Sequence, residues 1–231
     1  DCLLSRGLGD VYKRQVYNNR AYVIGGLDKQ VGIECQVYTS ENNSWLFEFP
    51  SLPKGRFNSV CFVYRDSLYV FGGTDNSSNM NEIVRYDLST QNSGEWTTIA
   101  KVNEANQRGG VAFVVEDKVY AGLGEKSNGI RNGFYVSSDS LTKWELIPSI
   151  PAQLGVISSG VYDEQKKSFF MIDNDGKIWE YNLTTEQWTS RSLWIRMKNY
   201  HMFMLDGSIY ILGQDIYQKN KFTVYNPIWD N

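Results

Sequence analysis

The sequence predicts an all-β fold, a β-propeller built from repeated four-stranded antiparallel blades, and three observations carry that prediction. The stretch 58–99 contains four short runs of strand-forming residues, Ser59 to Tyr64, Leu68 to Phe71, Glu82 to Tyr86 and Glu95 to Ile99, each bounded by Gly, Asp, Asn or Ser. The unit then recurs. Tyr38, Tyr86, Tyr135, Tyr181 and Tyr225 are separated by 48, 49, 46 and 44 residues, and Trp45, Trp96, Trp144 and Trp188 by 51, 48 and 44. Finally, no stretch of useful length has helical periodicity, so no significant helix is expected. A period in the forties to about fifty, with four strands per unit, marks propeller blades rather than helical repeats.

Taken in order, residues 1–15 stand outside the repeat and carry no signal-peptide pattern. Aligning Tyr22 to Gly26 on Tyr69 to Gly73 sets Val16-Tyr17 on Val63-Tyr64, the end of the unit's first strand. The first blade is therefore expected to lack most of its innermost strand, and residues 1–15 read as a leader that need not be native. Blades follow at about 16–53, 54–104, 105–151, 152–197 and 198–231, with the first and last incomplete. The second strand of each reads Ala21 to Ile24, Leu68 to Phe71, Val119 to Ala121, Phe169 to Ile172 and Ile209 to Leu212. Glycines follow in four of the five, at Gly25-Gly26, Gly72-Gly73, Gly122 with Gly124, and Gly213, where the backbone must leave the strand and a neighbouring blade must come close.

An apolar strand, a tight turn, a strand ending in Gly-Gly, then Tyr-Asp and a later Trp resembles the kelch repeat, most plainly in Leu68 to Gly73, Tyr86-Asp87 and Trp96. The fourth repeat departs from the pattern with Ile172-Asp173, the fifth with Gly213-Gln214. The resemblance covers Val16 to the end and implies a kelch-type propeller. Such propellers close with six or seven blades as a rule, so about five imply a piece of a larger one. An unclosed array leaves blade faces and strand edges exposed and is expected to be sticky or poorly stable.

Composition narrows the partners. The 231 residues are 42% hydrophobic and 14% aromatic, enough for a packed core. A formal charge of -3 and the absence of any Lys/Arg run argue against nucleic acid and anionic membrane surfaces. No apolar run approaches the roughly 20 residues of a membrane helix. Cys2, Cys35 and Cys61 fit neither a disulfide scaffold nor a zinc site, and reduced thiols are expected, with Cys35 and Cys61 the one pair to test. The wealth of Asn, Tyr and Trp suits a bacterial secreted or cell-surface protein.

Antiparallel order places the loops between blades and those between second and third strands at one end of the unit, where a site is expected. The former include Lys54 to Asn58, Asn106 to Gly109, Ala152 to Leu154 and Lys198 to His201; the latter include Asp28-Lys29, Thr74 to Asn76, Glu125 to Asn128, Asp173 to Asp175 and Gln214-Asp215. Their forks, amides and carboxylates suit a polar ligand. Arg56, Asn58, Asp75, Arg108, Gln153, Asn199 and Tyr200 are the candidate ligand-binding residues. Arg56 and Arg108 are read as equivalent positions in consecutive blades, either facing ligand or serving structurally by capping carbonyls or pairing with a neighbouring acid. His201, the one histidine, could serve as acid or base or simply line a channel. A single histidine gives no support to the copper chemistry of galactose-oxidase-like kelch enzymes, and no metal or cofactor is expected. Gly122 to Ser127 lacks the spacing of a phosphate loop.

Two functions follow. The first is a non-catalytic recognition module for a protein or glycan. The second rests on the resemblance: kelch propellers include sialic-acid mutarotases of the N-acetylneuraminate epimerase type, for which His201, Arg108 and Glu125 would be the catalytic candidates. Intracellular adaptors that present kelch loops to a partner are a third class within the family. Fold alone does not choose among them.

Overall fold

The computed structural model describes residues 13–27, 30–90, 93–138, 140–194, 196–215 and 217–226. Cys2, Asp28 and Lys29 lie outside them. The strands fall into five antiparallel sheets, each a meander in which sequence neighbours pair, and the chain divides into two units, Asp1–Glu145 and Leu146–Asn231. Apart from two short 3-10 turns, Leu88–Thr90 and Asn103–Ala105, the described regular structure is all strand.

The first unit holds three blades. Blade 1 is β1 (Lys13–Tyr17), β2 (Arg20–Ile24), β3 (Cys35–Thr39) and β4 (Ser44–Phe49); blade 2 is β5 (Val60–Tyr64), β6 (Ser67–Phe71), β7 (Glu82–Asp87) and β8 (Thr97–Lys101); blade 3 is β9 (Val111–Val115), β10 (Lys118–Gly122), β11 (Phe134–Ser138) and β12 (Glu145–Leu146), whose last residue belongs to the second unit by the division above. Here the sequence expectation is corrected. Lys13 to Tyr17 pair with Ile24 to Arg20 in unbroken register, so blade 1 has its innermost strand. That strand was hidden because Lys13-Arg14-Gln15 shows none of the apolar alternation of Val60 to Tyr64. The first strands β1, β5 and β9 lie side by side.

The second unit holds two blades: β13 (Ile157–Asp163), β14 (Ser168–Asp173), β15 (Lys177–Asn182) and β16 (Gln187–Trp194), then β17 (Lys198–Leu205), β18 (Ser208–Gln214) and β19 (Asn220–Tyr225). Blade 5 is three-stranded among the described residues.

Alternation in each strand gives every blade two apolar faces, and blade packs on blade. Tyr22, Ile24, Cys35 and Val37 of blade 1 meet Cys61, Leu68, Val70, Val84 and Tyr86 of blade 2 in one core. The opposite face of blade 2, Phe62, Tyr69, Phe71 and Ile83, is covered by Val119, Ala121 and Leu141 of blade 3. In the second unit Phe170, Ile172 and Ile178 meet Met202, Ile209, Ile211 and Tyr225. Each large apolar side chain buried this way contributes about 1.5–3 kcal/mol. The repeating tyrosine and tryptophan meet within a blade, at ring separations of 5.3 Å for Tyr38–Trp45, 5.4 Å for Tyr86–Trp96 and 4.8 Å for Tyr181–Trp188. Trp144 instead packs against Phe71 of the preceding blade at 5.2 Å. Cys35 and Cys61 are buried, share the first of these cores and are not joined in a disulfide, and burial pushes the Cys35 thiol up to about 12.

Candidate functional site

The loop end of the first unit is stitched together by the backbone. Phe57 exchanges two hydrogen bonds with Thr74, and Arg108 exchanges two with Glu125, so in blades 2 and 3 the segment leading into the first strand is bridged to the loop that follows the second. From the preceding blade, Gly26 donates to the Arg56 carbonyl at 3.0 Å and Gly73 to the Gln107 carbonyl at 2.9 Å. These bonds set the register: Arg56 corresponds to Gln107, and Phe57 to Arg108. The expected equivalence of Arg56 with Arg108 is therefore corrected by one residue. In blade 3 Leu123, not a glycine, takes the left-handed backbone (φ 61°) that Gly25 and Gly72 take in blades 1 and 2. An alignment on glycines cannot see that.

The one-residue shift separates two kinds of arginine. Arg56 is completely buried. Its guanidinium donates to the Gly72 carbonyl at 3.2 Å, to the Lys54 carbonyl at 3.4 Å and to Glu82 at 3.2 Å, and Lys101 approaches the same carboxylate at 3.4 Å. Burial lowers its pKa and Glu82 opposes that shift. Gln107, in the same place one blade on, is also fully buried; it accepts from the Gly124 amide at 3.1 Å and from Asn132 at 3.0 Å and donates to the Gly109 carbonyl. Gln107 falls in one of the expected site loops without being singled out, and Asn132 falls outside them, because nothing local distinguishes a buried amide from a surface one.

Arg108 stands at the surface. Its guanidinium holds both oxygens of Glu125 at 3.0 and 3.2 Å, with side-chain exposures of 48% and 29%, and the Glu125 carbonyl accepts from Asn79 at 2.9 Å. In the neighbouring loop Asp75 binds Lys54 at 2.7 Å and accepts from the Ser77 amide and hydroxyl and the Ser78 amide. The Lys54 ammonium and these donors hold the Asp75 carboxyl well below the usual carboxylate range. Asn58 takes a left-handed backbone (φ 51°), and its carbonyl accepts from Gly109. Two apolar side chains, Ile33 and Ile130, project from the loops of blades 1 and 3 into solvent.

The remaining candidates lie in the second unit. Tyr200 is buried, its hydroxyl accepting from the Met197 amide at 3.1 Å, and burial raises its pKa. Asn199 is exposed and donates to Gln214 at 3.0 Å, and Gln153 is exposed. His201 points away from the core face of β17, on which Tyr200 and Met202 are buried. At the corner of blade 4, Asp173 and Asn174 occupy the glycine pair's place. Asp173 is buried and accepts from the Asp175 and Lys177 amides and from the Trp179 indole at 2.9 Å.

At the other end of the first unit, where the β1–β2, β5–β6 and β9–β10 hairpins turn, is a cavity of about 470 Å³. Val16, Val63 and Val114 form its walls, and Arg65, Asp66 and Asp117 its rim. Tyr17 donates to Asp66, and Arg65 stacks over Tyr64. Among the described residues no group of three His, Cys, Asp or Glu is placed to hold a metal ion, and no helix is long and apolar enough to cross a membrane.

With this geometry in place, the chain can be set beside known proteins. The Kelch motif profile matches residues 55–103, the lead-in and four strands of blade 2. Kelch-like protein 36 of Mus musculus is 25% identical over 63% of this chain and 25% of its own length. Kelch repeat and BTB domain-containing protein 1 of Ectromelia virus (strain Moscow) is 25% identical over 98% of this chain and 42% of its own length. The chain thus spans between a quarter and somewhat under half of these relatives. Among solved structures, that of YjhT superposes with a TM-score of 0.76 at 16% identity, covering 94% of this chain and 84% of the other.

Proposed function

We propose, for a chain that belongs to the kelch-repeat β-propeller family, that it is a non-catalytic recognition module that binds a polar segment of a partner protein at the loop end of its first unit. The observation that carries this reading is the Arg108–Glu125 pair. Both carboxylate oxygens of Glu125 are taken by one guanidinium, and the two backbones are bridged as well. A carboxylate so held is a poor general base. It is a good fixed contact, since the fork is already ordered and loses little freedom on binding. Lys54–Asp75 repeats the arrangement one blade away, and Ile130, 62% exposed beside Glu125, supplies apolar area.

The test is a selection of the immobilised chain against a displayed peptide library, with a glycan array in parallel. Peptides should be enriched, and their affinity should fall about tenfold or more in Arg108→Ala and in Ile130→Ser. Enrichment of glycans alone, or acceleration of anomer exchange of N-acetylneuraminate followed by NMR, would overturn the reading.

A further inference from the structure

The sequence contains two Asn-Gly dipeptides, Asn128-Gly129 and Asn132-Gly133, and both lie between β10 and β11. In such a dipeptide the glycine nitrogen reaches the asparagine side chain easily, because no Cβ obstructs ring closure. The fold treats the two oppositely. Glu125 bridges to Arg131, and Asn128 and Gly129 are exposed at the tip which that bridge closes. A Cβ added at Gly129 would meet nothing nearer than the Glu125 carboxylate, at 4.0 Å. The side-chain oxygen of Asn128 accepts from the Ile130 amide at 3.1 Å, and the Gly129 amide donates to the Lys126 carbonyl at 2.9 Å.

Asn132 is completely buried. Its side-chain nitrogen donates to the Glu104 carbonyl at 2.8 Å and to Gln107 at 3.0 Å, while its side-chain oxygen accepts from the Gly133 amide at 2.9 Å and the Tyr135 hydroxyl at 3.2 Å. The Gly133 N–H therefore points at the side-chain oxygen, and turning the nitrogen onto the adjacent carbon would break this whole set of bonds in a place that water does not reach. Gly133 is fixed as well, its carbonyl accepting from the Leu123 amide at 2.9 Å.

We propose that Asn128 is a site of spontaneous deamidation that ages this loop, while Asn132 is held unreactive by its surroundings. Hydroxide removes the Gly129 amide proton, the nitrogen attacks Cγ of Asn128, the Cγ–Nδ2 bond breaks, and ammonia leaves with a proton from water. Water then opens the cyclic imide at either carbonyl to give aspartate or isoaspartate, so that overall a water is consumed and an ammonia released. The negative charge that develops on Oδ1 as nitrogen adds is met by the Ile130 amide already in place. The bond that must open first, Gly129 to Lys126, belongs to a surface turn. Isoaspartate lengthens the backbone by a methylene and sets a second carboxylate near Glu125, which displaces Ile130. This consequence rests on the recognition reading above: the partner surface loses affinity as the molecule ages.

Trypsin cuts after Lys126 and Arg131 and so puts the two asparagines in separate peptides. The chain is kept for weeks, folded or in urea, at neutral and mildly alkaline pH, then digested and mapped by mass spectrometry, with labelling by an isoaspartyl methyltransferase as a second readout. In the folded chain Asn128 should convert at least about tenfold faster than Asn132, and faster in proportion to hydroxide; in urea the two should react at similar rates. Equal rates in the folded chain, or an Asn128 that reacts in urea but not when folded, would overturn the proposal. Affinity for peptides selected on the fresh chain should fall about tenfold or more in the aged one, as in Ile130→Ser, and should hold in aged Asn128→Gln, whose longer side chain closes the ring far more slowly. Converted chains that bind unchanged would overturn the loss of affinity and leave the recognition reading standing. Failure to select any peptide would overturn that reading together with the affinity loss, and the peptide map would still decide the chemistry at Asn128.

Discussion

Arg56 and Gln107 hold the same position in successive blades, and each gives its carbonyl to a glycine of the blade before, Gly26 and Gly73. The side chains continue the task by different chemistry. Arg56 reaches forward to the carbonyl of Gly72, Gln107 to the amide of Gly124. One place in the repeat thus uses a buried cation in one blade and a neutral amide in the next.

The buried cation makes the stronger prediction. Arg56→Ala leaves the Gly72 carbonyl without that donor and Glu82 with only the partly exposed Lys101, and it should cost about 3–5 kcal/mol in urea unfolding. A smaller loss is expected for Gln107→Ala, about 1–3 kcal/mol, since no charge is left behind.

Gly72 and Gly109 separate two sources of strain. Both have left-handed backbone, φ 65° and 69°, but a Cβ on Gly72 would lie 2.4 Å from the Ala105 carbonyl oxygen, while a Cβ on Gly109 meets nothing within 4 Å. Gly109→Ala should therefore cost only the conformational penalty, about 1 kcal/mol. Gly72→Ala should cost distinctly more in the same denaturant titration, because the obstruction is backbone of the next blade.

For the surface pair, a double-mutant cycle on Arg108 and Glu125 should return a coupling below about 1 kcal/mol that shrinks as salt is added. Partner binding should nevertheless fall sharply in either single variant. A large coupling with unchanged binding would make the pair a strut rather than a contact.

Two groups give pH dependence of opposite sign. Asp75 has a depressed folded pKa, so its contribution is present above the ordinary carboxylate value of about 3.9 and is lost as pH falls through the folded value. Amide exchange at Ser77 and Ser78 should accelerate in that acid range, and Asp75→Asn should lose the Lys54 link while keeping the turn. Cys35 has a raised folded pKa, so its contribution is complete below the ordinary thiol value of 9.0 and declines as pH rises toward about 12. Thiol reagents should label Cys35 at pH 8 only on unfolding.

The blades were legible in the sequence because their signal is redundant. Tyr86 alone would predict nothing; Tyr38, Tyr86, Tyr135, Tyr181 and Tyr225 at near-even spacing fix five third strands, and each does lie in one. The site was legible only as a set of loops. Whether Arg56 or Arg108 reaches solvent turns on a single residue of register, and that register is set by long-range backbone bonds which leave no local trace. Tyr200 illustrates the same limit: beside exposed Asn199 and His201 in sequence, it is turned inward by strand alternation.

The glycine-to-carbonyl bonds between blades carry a mechanical implication. Each joins one blade only to the next, so within the first unit load passes through Gly26–Arg56 and Gly73–Gln107 as through links in series. Pulled from its ends, such a unit should yield one blade at a time from an outer member inward, with the middle blade, gripped on both sides, the last to give way.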